Sequence, residues 1–226
     1  TDVQTSDMLN LKVPELEGGK ATVVMCPPTE LQKESIQALG ERAEKIRAGN
    51  VDPHTDNMLR VTTDGRKLAL DQRLMNPLLP DVPENKATAC VEKVFEIWKN
   101  TADAQSTQLI FSDLATPGTG EWNIYDDIGN KLIARGIPKE QIAYIHDANT
   151  DAKKATLFAK MRAGKVRILM GSTKKMGAGT NVQTKLIALH HLDVPWRPSD
   201  IEQREGRILR QGNENPTVQI YRYATE

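Results

Sequence analysis

Two cysteines, no net charge and no long apolar run set the first limits on this chain of 226 residues. Cys26 and Cys90 lie far apart and form no C-x-x-C pair, so neither a disulfide framework nor a cysteine zinc site is indicated, and a reducing cytoplasm fits. Lys plus Arg and Asp plus Glu both number 30, so no global basic field draws the chain to a polyanion, and any such contact must be local. No apolar stretch approaches the roughly 18 residues that span a bilayer. The start, Thr1-Asp2-Val3-Gln4, has neither the basic nor the apolar region of a secretion signal. It also lacks an initiator Met, so the chain is expected to be a piece excised from a longer protein. Internal repeats and low-complexity tracts are absent as well.

What is present is ordinary for a folded domain: 38% hydrophobic and 27% charged residues. Residues 21–25 form a short β-branched run stopped by Pro27-Pro28, which predicts a strand. Thr29 is a plausible N-cap for a helix running to Ala48 and ending at Gly49, and a second helix is expected over about 56–75. The prolines of residues 76–83 remove donors and fix φ, so no helix crosses them. A boundary is placed there, giving an N-terminal entry segment with a mostly helical extension over 1–83 and a second unit over 84–226. In that unit helices over 86–99, 121–135, 151–163 and 199–211 alternate with strands over 108–111, 142–145, 166–170, 186–192 and 217–223. This alternation predicts an α/β fold, a parallel-dominated sheet with helices on both faces and right-handed crossovers.

Ligands of an open parallel sheet gather at the carboxyl ends of its strands, and three such places carry unusual residues. Residues 203–212 read Gln-Arg-Glu-Gly-Arg-Ile-Leu-Arg-Gln-Gly. At about 100° per residue Gln203, Arg207 and Arg210 fall within an arc of roughly 60°, while Ile201 and Ile208 point nearly opposite. The guanidinium fork donates two hydrogen bonds to phosphate oxygens and stays charged, which suits a γ-phosphate during transfer. The plainer alternative is a solvated face whose arginines pair with Glu202 or Glu205.

The second place is Met170-Gly-Ser-Thr-Lys-Lys-Met-Gly-Ala-Gly-Thr-Asn181, after a buried strand. Its glycines allow close backbone approach, and its hydroxyls with Lys174 or Lys175 could hold a phosphate. A dinucleotide or methyl-donor fingerprint is rejected, because five residues between Gly179 and Lys185 leave no room for the crossover helix such a unit needs. Phe111-Ser112-Asp113 is the third place. His190 and His191, adjacent on one strand, face opposite sides, cannot chelate one metal and are read as structural; no metal site is assigned.

These segments, in this order, resemble the motifs of the second, C-terminal RecA-like lobe of superfamily 2 helicases. Residues 111–113 resemble motif IV, 172–181 motif V and 203–210 motif VI. Ser172-Thr173 followed by Gly177-Ala-Gly179-Thr-Asn181 is most similar to the Swi/Snf-type ATPases, and Asp193-Val-Pro-Trp196-Arg-Pro198 resembles the Asp-x-x-Trp-Asn-Pro before their motif VI. Two departures, Gln-Arg-Glu-Gly-Arg in motif VI and Arg197 in place of Asn, suggest a prokaryotic or mobile-element relative, with a methylase as a conceivable fused partner.

The resemblance implies that Arg207 and Arg210 are arginine fingers, and that Gly177, Gly179 and Gln203 border the ATP. It implies that Ser112, Ser172, Thr173, Lys174 and Thr180 contact a nucleic-acid backbone, double-stranded DNA being the expected partner. No G-x-x-x-x-G-K-[ST] loop and no Asp-Glu-x-His motif occurs in the chain. ATP and Mg²⁺ are therefore expected to be held mainly by an N-terminal RecA-like lobe outside this sequence, and the chain alone is expected to be inactive. A RecA-like module that binds nucleic acid or protein without catalysis is the alternative; such a module would usually lose the arginine face.

Overall fold

The computed structural model describes residues 12–118, 122–176 and 180–226. Among them are seven strands, β1 (Glu15–Leu16), β2 (Thr22–Cys26), β3 (Thr107–Phe111), β4 (Ile142–Tyr144), β5 (Ile168–Gly171), β6 (Leu186–His191) and β7 (Thr217–Thr225). Every pairing is parallel, in the order β1-β7-β6-β3-β5-β4, with β2 following β1 along the outer edge of β7. The helices are α1 (Glu30–Arg47), α2 (Met58–Leu70), α3 (Lys86–Asn100), α4 (Ile124–Ala134), α5 (Asp151–Arg162) and α6 (Pro198–Glu205).

Caps set most helix boundaries. Thr29 and Gln32 form a reciprocal capping box at the start of α1, and Gly49, at φ +74°, takes the left-handed turn just beyond its end. Asn57, Asn85 and Asn123 cap α2, α3 and α4 through their side-chain oxygens.

The central strands are buried on both faces, so their side chains divide with period two. Ile110, Ile168, Met170 and Tyr223 pack against α3 and α4. Leu109, Phe111, Leu169 and Ile220 pack on the other side with α5 and Ile208. The same alternation separates the two histidines. His190 is bonded to Tyr223 and Gln108 on the first side, and His191 stacks on Phe111 on the second.

The first part of the chain joins this sheet through more than its edge strands. Arg73 bridges Asp71 and Asp127 of α4, its guanidinium 4.4 Å over Trp122. Gln32 of α1 donates to Leu68 O at 2.8 Å, and Thr225 of β7 donates to Ala69 O at 2.9 Å. No helix among the described residues is long and apolar enough to cross a membrane.

Candidate functional site: a charged network at the carboxyl edge

Three strand ends converge at one edge of the sheet. β3 delivers Ser112 and Asp113, β5 delivers the turn beginning at Ser172, and β6 delivers Asp193. The turn after β5 depends on Gly171, where any Cβ would come within 2.6 Å of Met176 Cγ and 2.8 Å of Ile145 Cγ2.

Arg204, in the last turn of α6 and 1% exposed, ties these ends together. Its Nε donates to Thr173 Oγ1 at 2.8 Å, and its Nη1 donates to the Asp193 carbonyl at 2.9 Å. Nη2 donates to Asp113 Oδ2 at 2.8 Å and to Asp193 Oδ1 at 3.0 Å. The guanidinium carbon sits 5.0 Å over the Phe111 ring. Asp113 in turn accepts the Thr173 N–H at 2.6 Å and its hydroxyl at 2.8 Å. Asp193 Oδ2 accepts the N–H groups of Asp113 and Leu114 at 2.7 and 3.0 Å. Every polar atom of the cluster has a partner, which is the condition under which a buried charge is tolerated. The network extends through His191 to Glu205, 3.1 Å away, and Arg222 donates to the same carboxylate oxygen at 2.7 Å. Burial pushes the His191 ring below its ordinary range, so it is neutral and donates to Glu205.

An open cleft of about 830 Å³ lies over this network, lined among others by Ser172, Thr173, Lys174, Lys175, His146 and Gln203. It brings together three of the residues expected on the nucleic acid, with Gln203. Ser172, though it lines the cleft, is itself buried and its Oγ accepts from Lys175 N–H at 3.3 Å; the two other backbone candidates are also buried, Ser112 Oγ donating to Leu114 O at 3.1 Å and Thr180 Oγ1 to Met176 O at 3.1 Å. The Thr173 hydroxyl is committed to Asp113 and Arg204. Gly177 and Gly179 lie outside the described residues.

The helix expected over 199–211 ends at Glu205, so Gln203, Arg207 and Arg210 do not share one helical face. Gly206 caps it, and the next bonds are short-range, Arg207 N–H to Arg204 O at 3.1 Å and Arg210 N–H to Ile208 O at 2.9 Å. Glycine disfavours helix continuation, and burial of Ile208 between α5 and the sheet turns the chain inward. The segment then runs down the flank of the sheet to its amino edge, where Gln211 O accepts from Gln183 and Asn213 donates to Leu186 O. The expected shared open face is therefore not formed: Gln203 and Arg210 are exposed, and Arg207 is buried.

Arg207 is nevertheless unusual. It is 8% exposed, and its guanidinium makes no hydrogen bond or ion pair with any described residue. Burial, and then the charge of Arg210, push it below its ordinary value. Arg210 is exposed and likewise unpaired among the described residues. Pairing of these arginines with Glu202 or Glu205 does not occur.

Sequence reasoning missed Arg204, Asp193 and His146. Arg204 and Asp193 stood inside quoted motifs, but no local signal marks partners so distant. His146 stood in no motif.

Residues 93–212, over half of the chain, match the family described as helicase conserved C-terminal domain. The SWI2/SNF2 ATPase core of Sulfolobus solfataricus, solved with double-stranded DNA, superposes with a TM-score of 0.60 at 18% identity, over 91% of this chain and 40% of that one. The C-terminal part of the Fun30 ATPase domain gives 0.60 at 15% identity, over 95% of this chain and 86% of that one. The fold is thus RecA-like. Defense against restriction protein B of Escherichia phage P1 is 34% identical over 67 residues, which are 30% of this chain and 3% of that protein. The chain spans only a small part of that curated relative.

Proposed function

Since the chain belongs to the helicase conserved C-terminal domain family, we propose that it is the second motor lobe of an ATP-dependent helicase or translocase that moves on double-stranded DNA. The observation that carries this reading is Arg207, a largely buried residue whose guanidinium keeps some contact with solvent and has no acceptor among the described residues. A half-sheltered cation with free donors is suited to take an anion brought to it. A nucleotide phosphate held by the other lobe is a fitting anion.

When bound, ATP with Mg²⁺ supplies the phosphoryl group whose transfer to water drives the motor. The N-terminal RecA-like lobe would hold most of it; this chain would contribute Arg207 and Arg210 to the γ-phosphate and Gln203 to the nucleotide's border, with Gly177 and Gly179 nearby. Arg207 would stabilise negative charge on the transferring oxygens. On the other side of the network Ser172 and Lys174 face the cleft that would take a nucleic-acid backbone. Thr173, held by Asp113 and Arg204, links that cleft to α6 and so to Arg207. Ser112 and Thr180, buried beneath, would act by shaping the two loops. A fused methylase domain belongs to the same proposal, and the match to a phage protein supports a mobile-element origin.

ATP hydrolysis by the complete two-lobed protein, measured with and without duplex DNA, tests the reading. Arg207→Ala should lower turnover on the order of 10³-fold, and Arg207→Lys should rescue poorly because an ammonium lacks the fork. Near-normal turnover in the Arg207→Ala, Arg210→Ala double variant would overturn it.

A further inference from the structure

His146 follows β4 and lines the cleft beside Ser172, Thr173, Lys174 and Lys175, yet none of the expected motifs contains it. Its Nδ1 is buried with no hydrogen-bond partner among the described residues. Nε2 likewise has no described partner but is not among the buried atoms, so the ring presents that nitrogen to solvent. The ring is held edge-on against Tyr125, centroids 5.2 Å apart.

These facts favour one tautomer. A neutral imidazole carries one N–H and one lone pair. Placing the proton on Nδ1 would bury an unpartnered donor; placing it on Nε2 buries only an unused lone pair, the commoner exception in folded proteins. The charged form is disfavoured as well: burial first, and then Lys175, lower the pKa of the ring, with Asp147 opposing. His146 is therefore a neutral ring with its N–H turned to the cleft.

We propose that His146 Nε2–H donates to a phosphodiester oxygen of nucleic acid lying in this cleft, beside the Lys174 and Lys175 ammonium groups and the Ser172 hydroxyl. The inference rests on the nucleic-acid reading above. The cleft also holds Asp113 and Asp200. Asp113 is paired with Arg204, which it shares with Asp193, and its oxygens are occupied by Thr173 and Arg204; Asp200 lies in the first turn of α6. A rigid, uncharged donor adds orientation where the flexible lysines add only charge.

The test is binding of a labelled blunt DNA duplex by this chain at low and moderate salt. Glutamine places an amide N–H near the position of Nε2, whereas asparagine reaches only that of Nδ1. His146→Gln should bind within about threefold of the unsubstituted chain, and His146→Asn should bind roughly tenfold more weakly with an unchanged salt slope. Lys175→Gln should instead reduce that slope by about 0.9. Should His146→Asn disturb folding, ¹⁵N-histidine spectra of the unsubstituted chain read the same point: an Nε2–H tautomer at neutral pH and a shift of that nitrogen when duplex is added. Equal binding by all three chains, an Nδ1–H tautomer, or an unmoved Nε2 would overturn the inference alone. No salt-sensitive binding by the unsubstituted chain would remove the nucleic-acid reading and the inference with it.

Discussion

Arg204 Nη2 donates to Asp113 Oδ2 at 2.8 Å across 91 residues of sequence, and through this pair the last turn of α6 is locked to the end of β3. The same nitrogen meets Asp193 at 3.0 Å, so one cation lies between two carboxylates that also cap backbone N–H groups. Arg204→Met removes the cation and leaves Asp193, 6% exposed, without its counter-charge. Breaking a buried pair from one side costs about 3–5 kcal/mol, so urea unfolding of this chain should show a loss in that range. Asp113→Asn should cost less, because Arg204 keeps Asp193. The double variant should be more stable than the sum of the two losses predicts, since the second change removes a group the first has orphaned. Strict additivity would show that the pair is incidental.

His190 makes folding sensitive to acid in a defined window. Its ring is wholly buried, donates from Nε2 to Gln108 and accepts at Nδ1 from Tyr223, both at 2.9 Å, and burial lowers its pKa to about 3. In the unfolded chain an ordinary histidine titrates near 6.5. Between these values the unfolded state binds the extra proton, so stability is full above about 6.5 and falls as pH drops toward about 3. One such group contributes up to about 1.4 kcal/mol per pH unit. His191, also lowered, adds to the slope in the same direction. His190→Gln should be less stable at neutral pH yet show a flatter dependence between pH 6 and 4, by about one proton. Parallel curves would mean that His190 is not the buried neutral group described.

The sequence made local structure visible wherever a side chain acts on its own backbone. Thr29 and Gly49 mark helix ends because capping is a contact over three or four residues. The opposite facing of His190 and His191 followed from the pleat alone. The end of α6 was not visible, because the periodicity of Gln203, Arg207 and Arg210 is equally compatible with a helix and with a turn that buries Ile208; tertiary burial decided it. The Arg204 network was hidden for a related reason. Asp113, Thr173, Asp193 and Arg204 are commonplace letters, and only strand order brings them together. His146 carries no motif, and its significance appears only as an unsatisfied nitrogen beside a cleft.

Arg204 and Arg207 are three residues apart, both buried, and should respond oppositely to removal. Arg204 is saturated with acceptors, whereas Arg207 has none among the described residues and is further opposed by Arg210. Partial desolvation of a cation without an acceptor costs the folded state, against the gain from packing its aliphatic stem. Arg207→Met keeps the stem and removes the charge, so this chain should unfold at the same urea concentration as the unsubstituted one or at a higher one. The same substitution in the complete protein should abolish most ATP turnover. Stability gained where activity is lost is what a residue kept for a ligand, rather than for the fold, should show. A loss of 3 kcal/mol or more on Arg207→Met, like that expected for Arg204→Met, would instead make Arg207 a structural residue.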